Sequence, residues 1–219
     1  MTTHQKWLYP LVFLLLFAGN ATADQILDVP LAGVDYGDAE VQFSLGLMFD
    51  TGRDAPQDYA EALRWYRKSA AQGYAQAQYA LGVLYANGHG VPQDDREAVH
   101  WYTRSAERGF APAQYNLGFM YHKGRGTAQD YREALKWYTK AALQGYADAQ
   151  SNLGTLHYHG QGVPQNYVQA YAWLSVAAAN GDEVAATNRD AVMEDMTAEQ
   201  IAKGQEIARE LFEKLGKKD

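Results

Sequence analysis

The chain has 219 residues with no Cys, 20 Gly, 16 Tyr, 5 Trp and 6 Pro, so a disulfide framework, a zinc–thiolate site and an iron–sulfur centre are all excluded. Its 26 Asp and Glu against 19 Lys and Arg, net −7, argue against nucleic acid as a partner, because a partner held through phosphates wants a basic face. The length is enough to bury a real core without staples, and twenty glycines are many for a chain rich in helix formers, since one inside a helix costs about 1 kcal/mol relative to Ala.

Residues 1–23 read MTTHQKWLYPLVFLLLFAGNATA. A start with His4 and Lys6 and no acid, an apolar run from Leu8 to Ala18, and then Ala21-Thr22-Ala23 make the tripartite pattern of a secretory signal, with cleavage expected after Ala23. The apolar run is well short of the roughly 20 residues that cross a bilayer. The expectation is a periplasmic or secreted chain with no membrane insertion after signal cleavage. Residues 24–36 read as a lead-in segment.

The remaining Trp residues, Trp65, Trp101, Trp137 and Trp173, are spaced 36 residues apart. Leu45-Gly46, Leu81-Gly82, Leu117-Gly118 and Leu153-Gly154 keep that period, as do Gly37, Gly73, Gly109, Gly145 and Gly181. Gly52, Gly88, Gly124 and Gly160, and then Gly90, Gly126 and Gly162, bring sixteen of the twenty glycines into register. A fixed period of this size is the signature of stacked supersecondary units. Four repeats are predicted, over 37–72, 73–108, 109–144 and 145–181, with capping helices over 182–219.

Each unit reads as two helices. In the second, helix A runs from Ala75 to Tyr85 with Ala77, Leu81, Leu84 and Tyr85 on one face, and stops near Gly88, a residue free to take the left-handed C-cap conformation. After the turn Gly90-Val91-Pro92-Gln93, helix B opens at Asp94 with Glu97 in capping-box spacing and ends at Gly109. Asp58/Glu61, Asp130/Glu133 and Asn166/Gln169 repeat that pair. Gly46, Gly82, Gly118 and Gly154 fall inside helix A, where close approach of helix B, with a bulky Trp or Tyr filling the empty volume, is the gain that offsets their propensity cost.

The pattern A-x-x-x-L-G-x-x-Y-x-x-G-x-G-V-P-Q-D-x-x-x-A-x-x-W-Y-x-x-A-A-x-x-G over residues 37–181 resembles the Sel-one-like repeat, a relative of the tetratricopeptide repeat. Departures are Asp54 for the second loop Gly in the first unit, Ala128 for Pro in the third and His157 for Tyr in the fourth. The resemblance implies an all-α fold, an α/α solenoid that stacks helical hairpins into a superhelix. Beyond Gly181, helices are predicted over Glu183–Glu194 and Thr197–Leu215, the latter opened by Thr197 with Gln200 in capping-box position. Its stripe of Ile201, Ile207, Ala208, Leu211 and Leu215 fits a terminal cap with a polar outer face.

Residues that could carry chemistry are few. His157-Tyr158-His159 holds two imidazoles at i, i+2, which on a helix point about 200° apart and clamp a metal poorly. His157 stands at the place of Tyr85 and Tyr121, so a packed histidine is expected, and a composite site of His122 with His159 is left open. No G-x-S-x-G, H-E-x-x-H, S-x-x-K or P-loop string occurs. Neither a metal nor a cofactor is expected. Some cysteine-rich members of the repeat family are associated with β-lactam binding and slow hydrolysis. They carry a Cys pair in every repeat and this chain has none, so the resemblance does not bring that activity with it.

The places that vary between units are the informative ones. On helix A the places of 43, 47, 50 and 51 change freely and share one stripe, about 200° from that of 41, 45 and 48. The stripe comprises Phe43, Leu47, Asp50 and Thr51; Tyr79, Val83, Ala86 and Asn87; Tyr115, Phe119, His122 and Lys123; and Ser151, Thr155, Tyr158 and His159. It is expected to be exposed. In tetratricopeptide arrays the equivalent stripe lines the concave groove, so the resemblance makes it a candidate surface for a protein or peptide partner, with packing of Phe43, Tyr79 and Tyr115 between adjacent A helices as the competing role. The expected function is an exported, non-enzymatic scaffold in the assembly or regulation of a cell-envelope process. The alternatives are a β-lactam-interacting or other envelope hydrolase, and a glycan- or cell-wall-binding module.

Overall fold

The computed structural model describes residues 35–216. The expected secretory signal, its cleavage point and residues 24–34 of the lead-in lie outside the described residues.

The described residues form ten helices and no strand, an all-α solenoid of helical hairpins. The chain divides into two compact units, Met1–Asp94 and Asp95–Asp219. The first unit holds α1 (Ala39–Thr51), α2 (Tyr59–Ala71) and α3 (Ala75–Asn87), with α2 packed on both neighbours. The second holds α4 (Asp95–Glu107), α5 (Ala111–Lys123), α6 (Tyr131–Ala142), α7 (Ala147–His159), α8 (Tyr167–Ala179), α9 (Glu183–Glu194) and α10 (Ala198–Gly216). There each helix from α4 to α8 packs on the next, and α8 also carries α10.

Helix ends follow the glycine register. Gly52, Gly88, Gly124 and Gly160 cap α1, α3, α5 and α7 at φ between 67 and 72°. Helix B ends one step later: Gly73 N–H reaches Ala70 O at 2.9 Å while Tyr74 N–H reaches Ser69 O at 3.3 Å, the paired closure that needs a left-handed residue, here Gly73 at φ +85°. Asp58 and Asp130 cap α2 and α6 through their side chains, each accepting from the backbone amides two and three residues on.

The reciprocal half of the expected capping box is absent at these two caps. Asp58 N–H donates to Phe49 O at 2.9 Å and Asp130 N–H to Tyr121 O at 3.0 Å, so each cap amide is already taken by the last turn of the helix before. Glu61 and Glu133 pair instead with Arg64 and Lys136. The full box does form at Thr197/Gln200: Thr197 N–H donates to Gln200 Oε1 at 2.8 Å and Gln200 N–H to Thr197 Oγ1 at 3.2 Å.

The mid-helix glycines are sites of close helix approach. A Cβ on Gly118 would lie 2.8 Å from Tyr138 Cδ1, and one on Gly154 would lie 2.6 Å from Leu174 Cγ, so the filler in the fourth unit is aliphatic. The loop glycines meet backbone: a Cβ on Gly90 would lie 2.7 Å from Tyr59 O, and one on Gly126 would overlap Asp95 O. Asp54, which replaces this glycine in the first unit, keeps the same left-handed conformation at φ +68° and is exposed. Gly204 repeats the close approach outside the register, inside α10, with a Cβ there 2.6 Å from Tyr171 Cδ1.

Candidate partner-binding face

The predicted stripe is graded in exposure. Its first place holds Phe43, Tyr79, Tyr115 and Ser151, all half-buried; its last holds Thr51, Asn87, Lys123 and His159, all exposed. Between them lie Leu47, exposed at 43%, and half-buried Val83, Phe119 and Thr155, followed by half-buried Asp50, Ala86, His122 and Tyr158. Open exposure therefore belongs to the last place and to Leu47.

The half-buried aromatics have partners within their own units. Phe43 stacks on Tyr66 of α2 with centroids 5.6 Å apart and touches Tyr74 at 5.4 Å. Tyr115 likewise meets Tyr138 at 5.8 Å and Tyr146 at 5.1 Å. Each ring thus sits against helix B of its own hairpin and the residue that opens the next helix A. That contact lies elsewhere than the helix A to helix A packing expected as the competing role.

Electrostatics along the stripe follows burial. Tyr66 donates to Asp50 Oδ2 at 2.9 Å; burial, then the Asp50 charge and this hydrogen bond, push its pKa far above the ordinary phenol range. In the third repeat the equivalent pair is Tyr138 and His122, with the hydroxyl 3.4 Å from Nδ1. Burial raises the Tyr138 pKa, and burial followed by the neighbouring Lys123 charge lowers that of His122. His122 also meets the Tyr131 ring at 5.5 Å, and His159 meets Tyr158 at 4.9 Å. His157 is half-buried in α7 with its Nδ1 unpartnered, and burial lowers its pKa.

At the fourth repeat the stripe runs into the C-terminal cap. Tyr158 donates to Asp195 Oδ2 at 2.8 Å. Thr155, Tyr158 and His159 line a cavity of about 120 Å³ with Leu174 of α8 and Asn188, Ala191 and Val192 of α9. Among the described residues no three His, Asp or Glu side chains are grouped so as to hold a metal ion, and no helix is long and apolar enough to cross a membrane.

The hairpins are also fastened by a device the sequence reading passed over. Gln150, fully buried, donates through Nε2 to Ala142 O at 3.1 Å and accepts at Oε1 from Asn180 Nδ2 at 2.9 Å. Gln114 repeats this with Ala106 O and Gln144, and Gln42 with Tyr36 O and Gln72. Gln72 and Gln144 extend a second amide hydrogen to Gly37 O and Gly109 O. The signal was present: Gln42, Gln78, Gln114 and Gln150 keep the 36-residue period inside an otherwise apolar face.

The comparisons agree with this architecture. The Sel1 repeat model matches residues 39–74, 75–110, 111–146 and 147–182. A crystal structure of a Sel1 repeat protein from Oxalobacter formigenes is 40% identical over 69% of this chain and 44% of that one, with a TM-score of 0.65. A protective antigen of uropathogenic Escherichia coli displaying an SLR fold is 33% identical over 82% of this chain and 46% of that one, with a TM-score of 0.51. The chain thus spans less than half the length of either relative. An immunity protein from Pseudomonas aeruginosa, 23% identical over 94% of this chain and 80% of that one with a TM-score of 0.51, shares the fold. No curated protein matches the chain. Four consecutive matches to one repeat model, on hairpins spaced alike, make the chain a member of the Sel1 repeat family.

Proposed function

We propose that the chain is an exported, non-enzymatic scaffold that holds a protein or peptide segment along the helix A stripes, those of α1 and α3 in one unit and those of α5 and α7 in the other. Sel1 repeats commonly mediate protein interactions and their proteins are generally scaffolds. One observation carries the assignment to this face: the register-invariant side chains, Leu45, Leu81, Leu117 and Leu153, are buried at 5% exposure or less, whereas of the four varying places the last, at Thr51, Asn87, Lys123 and His159, is exposed in every repeat, as is Leu47 in the first. A surface that differs in each repeat on a frame that does not is what recognition of a particular partner requires. The pattern of residues 1–23 supports export, and with it a role in a cell-envelope process.

The test is photo-crosslinking in cells from positions 47, 87, 123 and 159, compared with positions 64 and 136 on the exposed face of helix B. The reading expects one partner polypeptide captured from the stripe positions alone. It also expects Lys123→Ala with His159→Ala, both at exposed positions, to abolish capture while leaving the melting curve close to the parent's. Equal capture from both faces overturns it, as does binding to purified cell-wall saccharide with no protein captured.

A further inference from the structure

In α3, α5 and α7 the places of Ala77, Ala113 and Ala149 are 0% exposed, and Leu84, Met120 and Leu156 are at 3% or less. Within the first unit α2 packs on α3, and within the second α4 packs on α5 and α6 on α7, so each of these helices A has the preceding helix B beside it. The same two places in α1 hold Val41 and Met48, and both are half-exposed. At the first of these places the later repeats admit only a methyl group against their neighbour and α1 carries an isopropyl group; at the second, Leu84, Met120 and Leu156 are covered where Met48 is not. Among the described residues nothing lies over that face as a helix B lies over the others.

An apolar face of this kind invites a cover, and the sequence next to it supplies one. Residues 25–34 read QILDVPLAGV, with Ile26, Leu27, Val29 and Leu31 apolar and Asp28 the sole charge. The segment joins the fold at Asp35, three residues before the N-cap Asp38 of α1. Ten residues reach about 33 Å when extended, against about 20 Å for the thirteen residues of α1, so the segment is long enough to return along the whole helix. Being tethered, it competes at a high effective concentration with any free partner.

We propose that the face of α1 at Val41 and Met48 is the docking surface for the chain's own residues 25–34, which close the first repeat there as a helix B closes the later ones. Val41 and Met48 lie about 100–120° round α1 from Leu47, so the surface is distinct from that part of the partner-binding stripe, although Met48 neighbours Thr51 at i, i+3.

The chain contains no Cys, so introduced pairs report cleanly. In the full chain, Met48→Cys is combined in turn with Ile26→Cys, Leu27→Cys, Val29→Cys and Leu31→Cys, and each is oxidised and mapped by mass spectrometry under non-reducing conditions. A disulfide forms only where the two Cα atoms come within about 7 Å. At least one pair is expected to close within a single chain severalfold faster than the same segment position paired with Leu47→Cys, which is exposed and about 100° round the helix. Equal rates from both sides overturn the proposal, as does no closure at all. A disulfide-linked dimer from Met48→Cys alone also overturns it, since that assigns the face to a second copy. The double change Leu27→Asp with Val29→Asp is expected to lower the melting temperature by several degrees, and an unchanged melting curve counts equally against it.

Discussion

Tyr66 fills the volume that a side chain on Gly46 would need: a Cβ there would lie 2.5 Å from Tyr66 Cδ1, and the same ring donates its hydroxyl to Asp50 Oδ2 at 2.9 Å one turn further along α1. Removing one side chain lets an aromatic ring lie against the helix backbone, and the ring then reaches a polar partner on the same face. Gly118, Tyr138 and His122 repeat the arrangement with a weaker polar end.

Gly118→Ala therefore tests the packing against helix propensity. Propensity alone predicts a gain of about 1 kcal/mol, whereas a methyl group 2.8 Å from a buried ring predicts a net loss of about 1–3 kcal/mol. Urea unfolding should give the loss, and Gly118→Leu should lower the melting temperature by several degrees. A stabilised Gly118→Ala would remove the close-approach explanation.

Gly126→Ala should cost more than Gly118→Ala. A Cβ at Gly126 meets the Asp95 carbonyl, which is backbone at the start of α4 and cannot rotate away, and the glycine also sits at φ +67°. Gly109→Ala, at φ +88° with open space around it, isolates the conformational part at about 1–2 kcal/mol. Comparing denaturation midpoints of the three variants separates steric from conformational cost, and equal losses at 109 and 126 would show that the loop contact contributes nothing.

Gln150→Leu removes an amide whose carbonyl and amino ends are both in use, leaving Ala142 O and Asn180 without it. A loss of about 1–2 kcal/mol is expected from the two lost hydrogen bonds, despite similar side-chain volume, since Ala142 O keeps the Gly145 N–H and Asn180 is exposed to water. Restored stability in Gln150→Leu combined with Asn180→Leu would show that the penalty came from the stranded partner. No recovery would place it at the Ala142 carbonyl.

Much of the fold was legible because it is written in local terms. The 36-residue register located the hairpins, and Gly88 at +72° and the Thr197/Gln200 box mark helix ends where periodicity and capping chemistry placed them. Where the sequence misled, a longer-range competitor had intervened. The Asp58 amide looked available to Glu61 but is taken by Phe49 O, nine residues upstream. The amide fasteners join side chains 30 residues apart, a separation no short motif reports. The exposure expected of the stripe holds only in part: its first aromatics are half-buried, since Phe43 and Tyr115 find rings in neighbouring elements that helical angles alone do not reveal.

Acid should weaken the fold through His157. Burial holds its pKa below the ordinary value, so at pH below about 6.5 the unfolded chain takes up a proton that the folded chain resists, and stability present above that pH is lost as pH falls towards the folded value. His157→Tyr restores the residue found at Tyr85 and Tyr121. Measured from neutrality down to about pH 5, its unfolding free energy should fall less than the parent's; identical slopes would assign acid lability elsewhere, with His122, whose pKa is lowered in the same sense, as the next candidate.

The bond from Tyr158 to Asp195 also bears on how such an array can change length. The end of α9 holds the last repeat at the very place that is Asp50, Ala86 and His122 in the others. A unit duplicated inside the array would inherit neighbours of the kind it already has, whereas one appended after the fourth would have to displace α9 and give up this tie. Lengthening from within thus keeps this tie, and lengthening at the fourth repeat gives it up.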